Sequence, residues 1–128
     1  MYYSNKDSNK EKDKVMKIYD DKKGKTPLKV ISIGDGVTKN LMVYEYDGDM
    51  IAVDYGIGFP GADDIGVDFI IPDMSYLLDN SNKLKGLFIT HAHADHFGAI
   101  PHLLEELNVP IYASKITQAH INAMLEEK

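Results

Sequence analysis

The stretch that most restricts the fold is Thr90-His91-Ala92-His93-Ala94-Asp95-His96. Three of the chain's five histidines fall within six residues, with an aspartate just before the last. The apolar run Gly86-Leu87-Phe88-Ile89 precedes it and reads as a buried strand. Phe97-Gly98-Ala99-Ile100-Pro101-His102-Leu103-Leu104 follows and reads as the opening of a helix. Four metal-ligating side chains therefore stand at the carboxyl end of a strand, in the turn before a helix. Open α/β sheets place their ligand sites there.

The spacing has a physical basis. In extended chain, side chains two apart point the same way, so His91 and His93 can converge on one ion. Asp95 and His96 come where the chain starts to coil and suit a second ion beside the first. Two divalent ions roughly 3.5–4 Å apart clamp the attacking and leaving oxygens of a displacement. Imidazole with carboxylate suits zinc best, with manganese or iron as alternatives.

At 128 residues, the chain is one small domain or part of one. With 44% hydrophobic residues it can build a core. It has no cysteine, so it has no disulfide, thiolate ligand or thiol nucleophile. No apolar run approaches the ~20 residues of a membrane helix, and no secretory signal is visible at the start. A cytoplasmic protein with no membrane partner is the expectation. Net charge is −6, unevenly spread. Residues 1–25 hold eight lysines against five acids, and residues 26–128 hold six lysines against fifteen acids. The body thus lacks the basic face of a nucleic-acid binder, although bound metal ions would offset part of its charge.

Residues 1–25 read as a flexible Lys-rich tail, with no more than a weak turn around Val15, Met16 and Ile18. Residues 26–128 form the folded part. Leu28–Ile33, Asn40–Tyr46 and Met50–Asp54 alternate as strands of a β-meander. Gly34-Asp35-Gly36 turns between the first two, and Asp47-Gly48 makes a two-residue hairpin between the others. Asp54 ends its strand beside Tyr55-Gly56 and can reach the rim of the histidine loop. There it would accept a hydrogen bond from a ligand imidazole or touch a metal. Residues 56–73 form a Gly/Asp-rich loop in which Asp63, Asp64 and Asp68 read as loop formers. Asp73 caps a short helix through Leu78. Pro101 suits the first turn of a helix running through Leu107. A strand over Asn108–Ala113 completes a βαβ unit. Ser114 caps a last helix with Ile116, Ala119, Ala123 and Met124 on its inner face. His102 and His120 read as helix-surface histidines.

The pattern H-x-H-x-D-H at 91–96 resembles the signature of the metallo-β-lactamase superfamily. A closer resemblance runs through Val53-Asp54-Tyr55-Gly56, Phe59-Pro60 and Ile65-Gly66-Val67-Asp68-Phe69-Ile70-Ile71-Pro72-Asp73-Met74-Ser75-Tyr76-Leu77. It continues through Lys85–His91, Gly98-Ala99-Ile100-Pro101 and Asn108-Val109-Pro110-Ile111-Tyr112. These segments are similar to the ribonuclease J family of metallo-β-lactamase/β-CASP nucleases, over about residues 28–128.

The resemblance implies an α/β fold, the αββα metallo-β-lactamase sandwich, of which this chain is the N-terminal half only. It implies a zinc-dependent ribonuclease with 5′→3′ exonuclease and endonuclease activity on RNA, in mRNA decay and RNA maturation. The RNA channel would be shared with domains outside these residues, which overrides the charge argument. Position by position, His91 and His93 match ligands of one zinc, and Asp95 and His96 match ligands of the other. Asp54 matches the first aspartate of the family pattern, so Asp54 and Asp95 are the catalytic candidates. Two Zn2+ ions are expected in the complete domain, with Mn2+ as an alternative, and a homo-oligomer in the full-length protein. Ala94 stands where the family often carries glutamate. A further histidine and a bridging aspartate would lie beyond Lys128, so the chain is expected to be an incomplete fragment, weakly metal-binding, slow to turn over and prone to self-association. The rival expectations are a glyoxalase II-like thioesterase and an inactive fragment that acts by pairing with a partner.

Overall fold

The computed structural model of the chain describes residues 2–4, 14–19, 27–34 and 38–127. Eight strands and four helices lie within them. In order these are β1 (Tyr2–Ser4), β2 (Lys14–Tyr19), β3 (Leu28–Ser32), β4 (Met42–Tyr46), β5 (Asp49–Val53), β6 (Phe69–Ile71), α1 (Ser75–Asp79), β7 (Leu84–Phe88), α2 (Ala94–Phe97), α3 (Ile100–Glu106), β8 (Ile111–Tyr112) and α4 (Lys115–Glu126). The mixed α/β architecture agrees with the sequence expectation.

Six strands form one sheet in the order β2-β3-β4-β5-β7-β8. The first four run antiparallel to their neighbours, as a meander must. Asp47 and Gly48 turn the β4–β5 hairpin with φ of 49° and 83°, the pair of positive values that a tight two-residue turn needs. From β5 onward the pairing is parallel, β5 to β7 and β7 to β8. This switch brings the carboxyl ends of β5 and β7 side by side, and the site is built there.

Strand register sorts the side chains. Ile31, Val43, Ala52 and Leu87 pair across neighbouring strands and line one face. They belong to one buried cluster with Leu77 of α1, Ile100 and Leu103 of α3 and Ile121 of α4. The helices therefore cover that face. The opposite face carries Tyr44, Ile51, Val53, Phe88 and Tyr112, half-buried or exposed and outside the cluster. There Phe88 and Tyr112 stack with ring centroids 4.8 Å apart. Glu45, buried, lies on the helix-covered face. It accepts from Tyr76 Oη at 3.1 Å and Lys83 Nζ at 3.2 Å, so its burial is compensated.

Several local expectations differ from the structure. Around Val15–Ile18, where at most a weak turn was expected, Lys14–Tyr19 pairs antiparallel with β3, and Tyr2–Ser4 pairs parallel with β6. The open edge of β3 offers unpaired backbone groups for such an addition. The remainder of the expected tail, and Asp35 and Gly36 of the expected turn, lie outside the described residues. In α4, Ile116, Ala119 and Ala123 are exposed and only Met124 of the expected face packs on the core. The inner stripe is Thr117, Ile121, Met124 and Leu125, at the helical spacing set by the Ser114 cap, which accepts from Thr117 N at 3.3 Å. His102 is half-buried, its ring 5.3 Å from Phe69, whereas His120 is exposed as expected.

Candidate metal centre

The site begins where β5 stops. Asp54 is buried and takes a left-handed backbone, φ 65°, that turns the chain off the sheet. Aspartate is one of the few residues that visit this region readily. Its backbone N donates to Phe88 O at 2.7 Å, which ties the end of β5 to the end of β7.

The next residues are laced to α2, the short helix that starts after His93 and contains His96. Tyr55 N donates to His96 O at 2.8 Å, Ile57 N to Ala94 O at 3.0 Å, and Ala99 N to Tyr55 O at 3.0 Å. Between them, Gly56 has no Cβ because the Asp95 carbonyl stands where one would be. Asn40, just before β4, completes the lacing. Its backbone N and its Nδ2 both donate to Asp95 O, at 3.1 and 2.9 Å, and its own carbonyl accepts from Gly56 N at 3.1 Å. Hydrogen bonds from two separate segments, Asn40 and Tyr55 to Ile57, thus hold residues 94–99.

On this frame the candidate side chains gather. The His91 ring lies 4.5 Å from His93 and 4.1 Å from His96, centroid to centroid. His96 Nε2 is 3.5 Å from Asp95 Oδ2. Asp54 holds His96 from behind, with Oδ2 2.8 Å from Nδ1. The same carboxylate accepts from Thr90 N at 2.8 Å and from Thr90 Oγ1 at 2.9 and 3.1 Å. Thr90 Oγ1 is also 2.8 Å from His91 Nδ1. So His91, His93, Asp95, His96 and Asp54 all stand in one cluster. Asp64 does not join it: its Oδ2 accepts from Gly61 N at 2.8 Å within its own loop.

Among the described residues, no three His, Asp or Glu side chains already close on a single metal position. The donor chemistry nonetheless suits a divalent ion. A carboxylate can only accept, so His96 gives its Nδ1 proton to Asp54 and leaves Nε2 with a lone pair. Asn40 Nδ2, a donor, lies 3.5 Å from that Nε2, and so does Asp95 Oδ2. An imidazole backed by a carboxylate in this way is the usual form of a metal-ligating histidine.

Asn40 and Thr90 were given no role from sequence. Asn40 is separated from Asp95 by 55 residues, and nothing local marks it. Thr90 adjoins the motif, but its bond to Asp54 spans 36 residues and exists only once β5 and β7 pair.

The model of the metallo-beta-lactamase superfamily matches residues 34–123. Ribonuclease J 1 of Streptococcus pyogenes is 48% identical over 91 residues, covering 71% of this chain and 16% of that protein. Ribonuclease J of Mycoplasma pneumoniae is 45% identical over 107 residues, covering 81% and 19%. Ribonuclease J 2 of Staphylococcus aureus is 38% identical over 109 residues, covering 84% and 20%. The chain spans a fifth or less of the length of these relatives.

Proposed function

The chain belongs to the metallo-beta-lactamase superfamily, and on that premise we propose that it is part of a metal-dependent ribonuclease. The observation that carries this reading is its 38–48% identity to proteins named ribonuclease J, over 71–84% of the chain. His91 and His93 would hold one ion, and Asp95 and His96 the other. Bound there, divalent ions supply Lewis-acid stabilisation of phosphoryl oxygens and acidify water. Zinc fits the imidazole–carboxylate set best, with manganese as the alternative.

The chain's own residues do the rest. Asp54 keeps His96 in one orientation and one tautomer. Asp95, whose Oδ2 lies 3.5 Å from His96 Nε2, adds the negative charge that favours a divalent cation. The main-chain ladder from Tyr55 to Ile57 fixes the distance between the two halves of the cluster. Preorganisation of this kind spares the reorganisation that a mobile loop would need at each turnover.

The substrate we propose is RNA, cut by 5′→3′ exonuclease and endonuclease action, in a cytoplasmic protein whose full-length form is a homo-oligomer. Supporting the location, the sequence has no cysteine, and no helix among the described residues is long and apolar enough to cross a membrane. No specific observation favours a thioesterase. The test is hydrolysis of single-stranded RNA with manganese or zinc supplied, using the longest natural polypeptide that contains residues 1–128. Metal-dependent cleavage that His91→Ala and His96→Ala abolish is the expected result. Cleavage unchanged by both substitutions, or none in the wild type, would overturn the reading.

A further inference from the structure

The geometry points to Thr90 as a positioning residue that extends the hold of Asp54 from His96 to His91, so that one carboxylate sets the tautomer of two imidazoles. This rests on the proposed metal centre and adds a residue to it.

The argument is a count of protons. Asp54 receives three donors: Thr90 N, Thr90 Oγ1 and His96 Nδ1. As a carboxylate it has no proton to give. The Thr90 hydroxyl has one proton and two close neighbours, Asp54 Oδ2 at 2.9 Å and His91 Nδ1 at 2.8 Å. If that proton went to His91, the hydroxyl and carboxylate oxygens would face each other with no hydrogen between them. The hydroxyl therefore donates to Asp54 and accepts from His91, which must carry its proton on Nδ1. The lone pair of His91 is then on Nε2, as it is on His96. A free neutral histidine prefers the opposite arrangement, with the proton on Nε2. Thr90 thus holds His91 in its less favoured form before any ion arrives. His93 is 4.5 Å from His91, centroid to centroid, and the chain Asp54–Thr90–His91 does not pass through it.

Thr90→Val removes the hydroxyl and keeps the branched shape, while the bond from Thr90 N to Asp54 survives. Thr90→Ser keeps the hydroxyl. Nitrogen-15 NMR of the metal-free chain, at a pH where the imidazoles are neutral, reads each tautomer directly. The wild type is expected to show His91 and His96 both protonated on Nδ1. In Thr90→Val, His91 should move toward the Nε2–H form while His96 stays, and Thr90→Ser should behave as wild type. Zinc affinity, read against a competing chelator, should fall about tenfold in Thr90→Val and recover in Thr90→Ser. His91 protonated on Nε2 in the wild type would overturn the proposal, and so would an unchanged His91 in folded Thr90→Val. If Thr90→Val does not fold, the wild-type and Thr90→Ser spectra still decide. RNA cleavage plays no part in the readout. The expected tautomers in the chain, alongside a longest natural polypeptide that leaves RNA intact, would defeat the ribonuclease reading and leave this one standing.

Discussion

Asp54 and His96 are 42 residues apart in the chain, yet Oδ2 of one lies 2.8 Å from Nδ1 of the other. The contact depends on two features of Asp54 at once: a left-handed backbone that few residues adopt readily, and a side chain short enough to turn back between two strand ends.

Asp54→Ala would strand three donors, two on Thr90 and one on His96. Thr90 is exposed and His96 half-buried, so water can meet part of the loss, which should fall at or below about 1–3 kcal/mol, the cost of a fully buried unmet donor. Loss of a carboxylate behind a ligand histidine lowers metal affinity about 10–100-fold. Asp54→Asn tolerates the same backbone and keeps one acceptor, so it should lose less stability while still binding zinc more weakly. Urea unfolding and a zinc titration on the two variants measure the split.

Gly56 and Gly48 should respond to alanine for different reasons. At Gly56 a Cβ would overlap the Asp95 carbonyl, so the backbone ladder must move. The expected loss is about 1–3 kcal/mol, together with weaker zinc binding. At Gly48 nothing lies within 4 Å of an added Cβ, and the only penalty is its φ of +83°. That costs about 1–2 kcal/mol and should leave zinc binding unchanged. Denaturation and metal titration of both variants would show whether only one of them couples stability to the site.

Glu45 should give the fold an acid-sensitive contact. Burial alone would raise its pKa, but the hydrogen bonds from Lys83 and Tyr76 and the charges of Lys83 and Lys29 outweigh it and hold the carboxyl below its ordinary 4.5. A group with a lowered folded pKa contributes its full stabilisation above the unfolded value and loses it as pH falls through the folded one. Stability should therefore decline more steeply below about pH 4.5 in the wild type than in Glu45→Gln. Urea midpoints measured across that range would show two curves converging toward low pH. Parallel curves would refute the role.

Leu87→Ala and Ile116→Ala test which apolar residues carry the core. Leu87 is fully buried in the centre of the sheet, and its truncation should cost about 2–5 kcal/mol. Ile116 is 71% exposed on α4, and its truncation should stay within about 0.5 kcal/mol. Thermal or urea unfolding of the pair compares them directly.

Strands β3, β4, β5, β7 and β8, the Asp47-Gly48 hairpin and the strand–motif–helix order were legible because each follows from local chemistry: alternation, turn residues, the cap at Ser114. Asp54 could be nominated because an acid at a strand end beside glycine is a local pattern. Asn40 and the bridging hydroxyl of Thr90 could not, since their partners are chosen by parallel pairing of β5 with β7. The inner face of α4 was misjudged because Ile116 looked like an anchor, whereas the Ser114 cap sets the phase of the helix and points Thr117 and Ile121 inward. Pairing along the open edge of β3 left no mark in the polar composition of residues 1–25.

The ladder joining Tyr55 to His96 and Ile57 to Ala94, with Asn40 bridging Gly56 and Asp95, means that the histidine segment is not self-contained. Grafted onto a foreign scaffold, Thr90 to His96 would carry the ligands but not their arrangement. A working transplant would need Asn40 and Asp54 to Ile57 as well, three pieces of sequence moved as one.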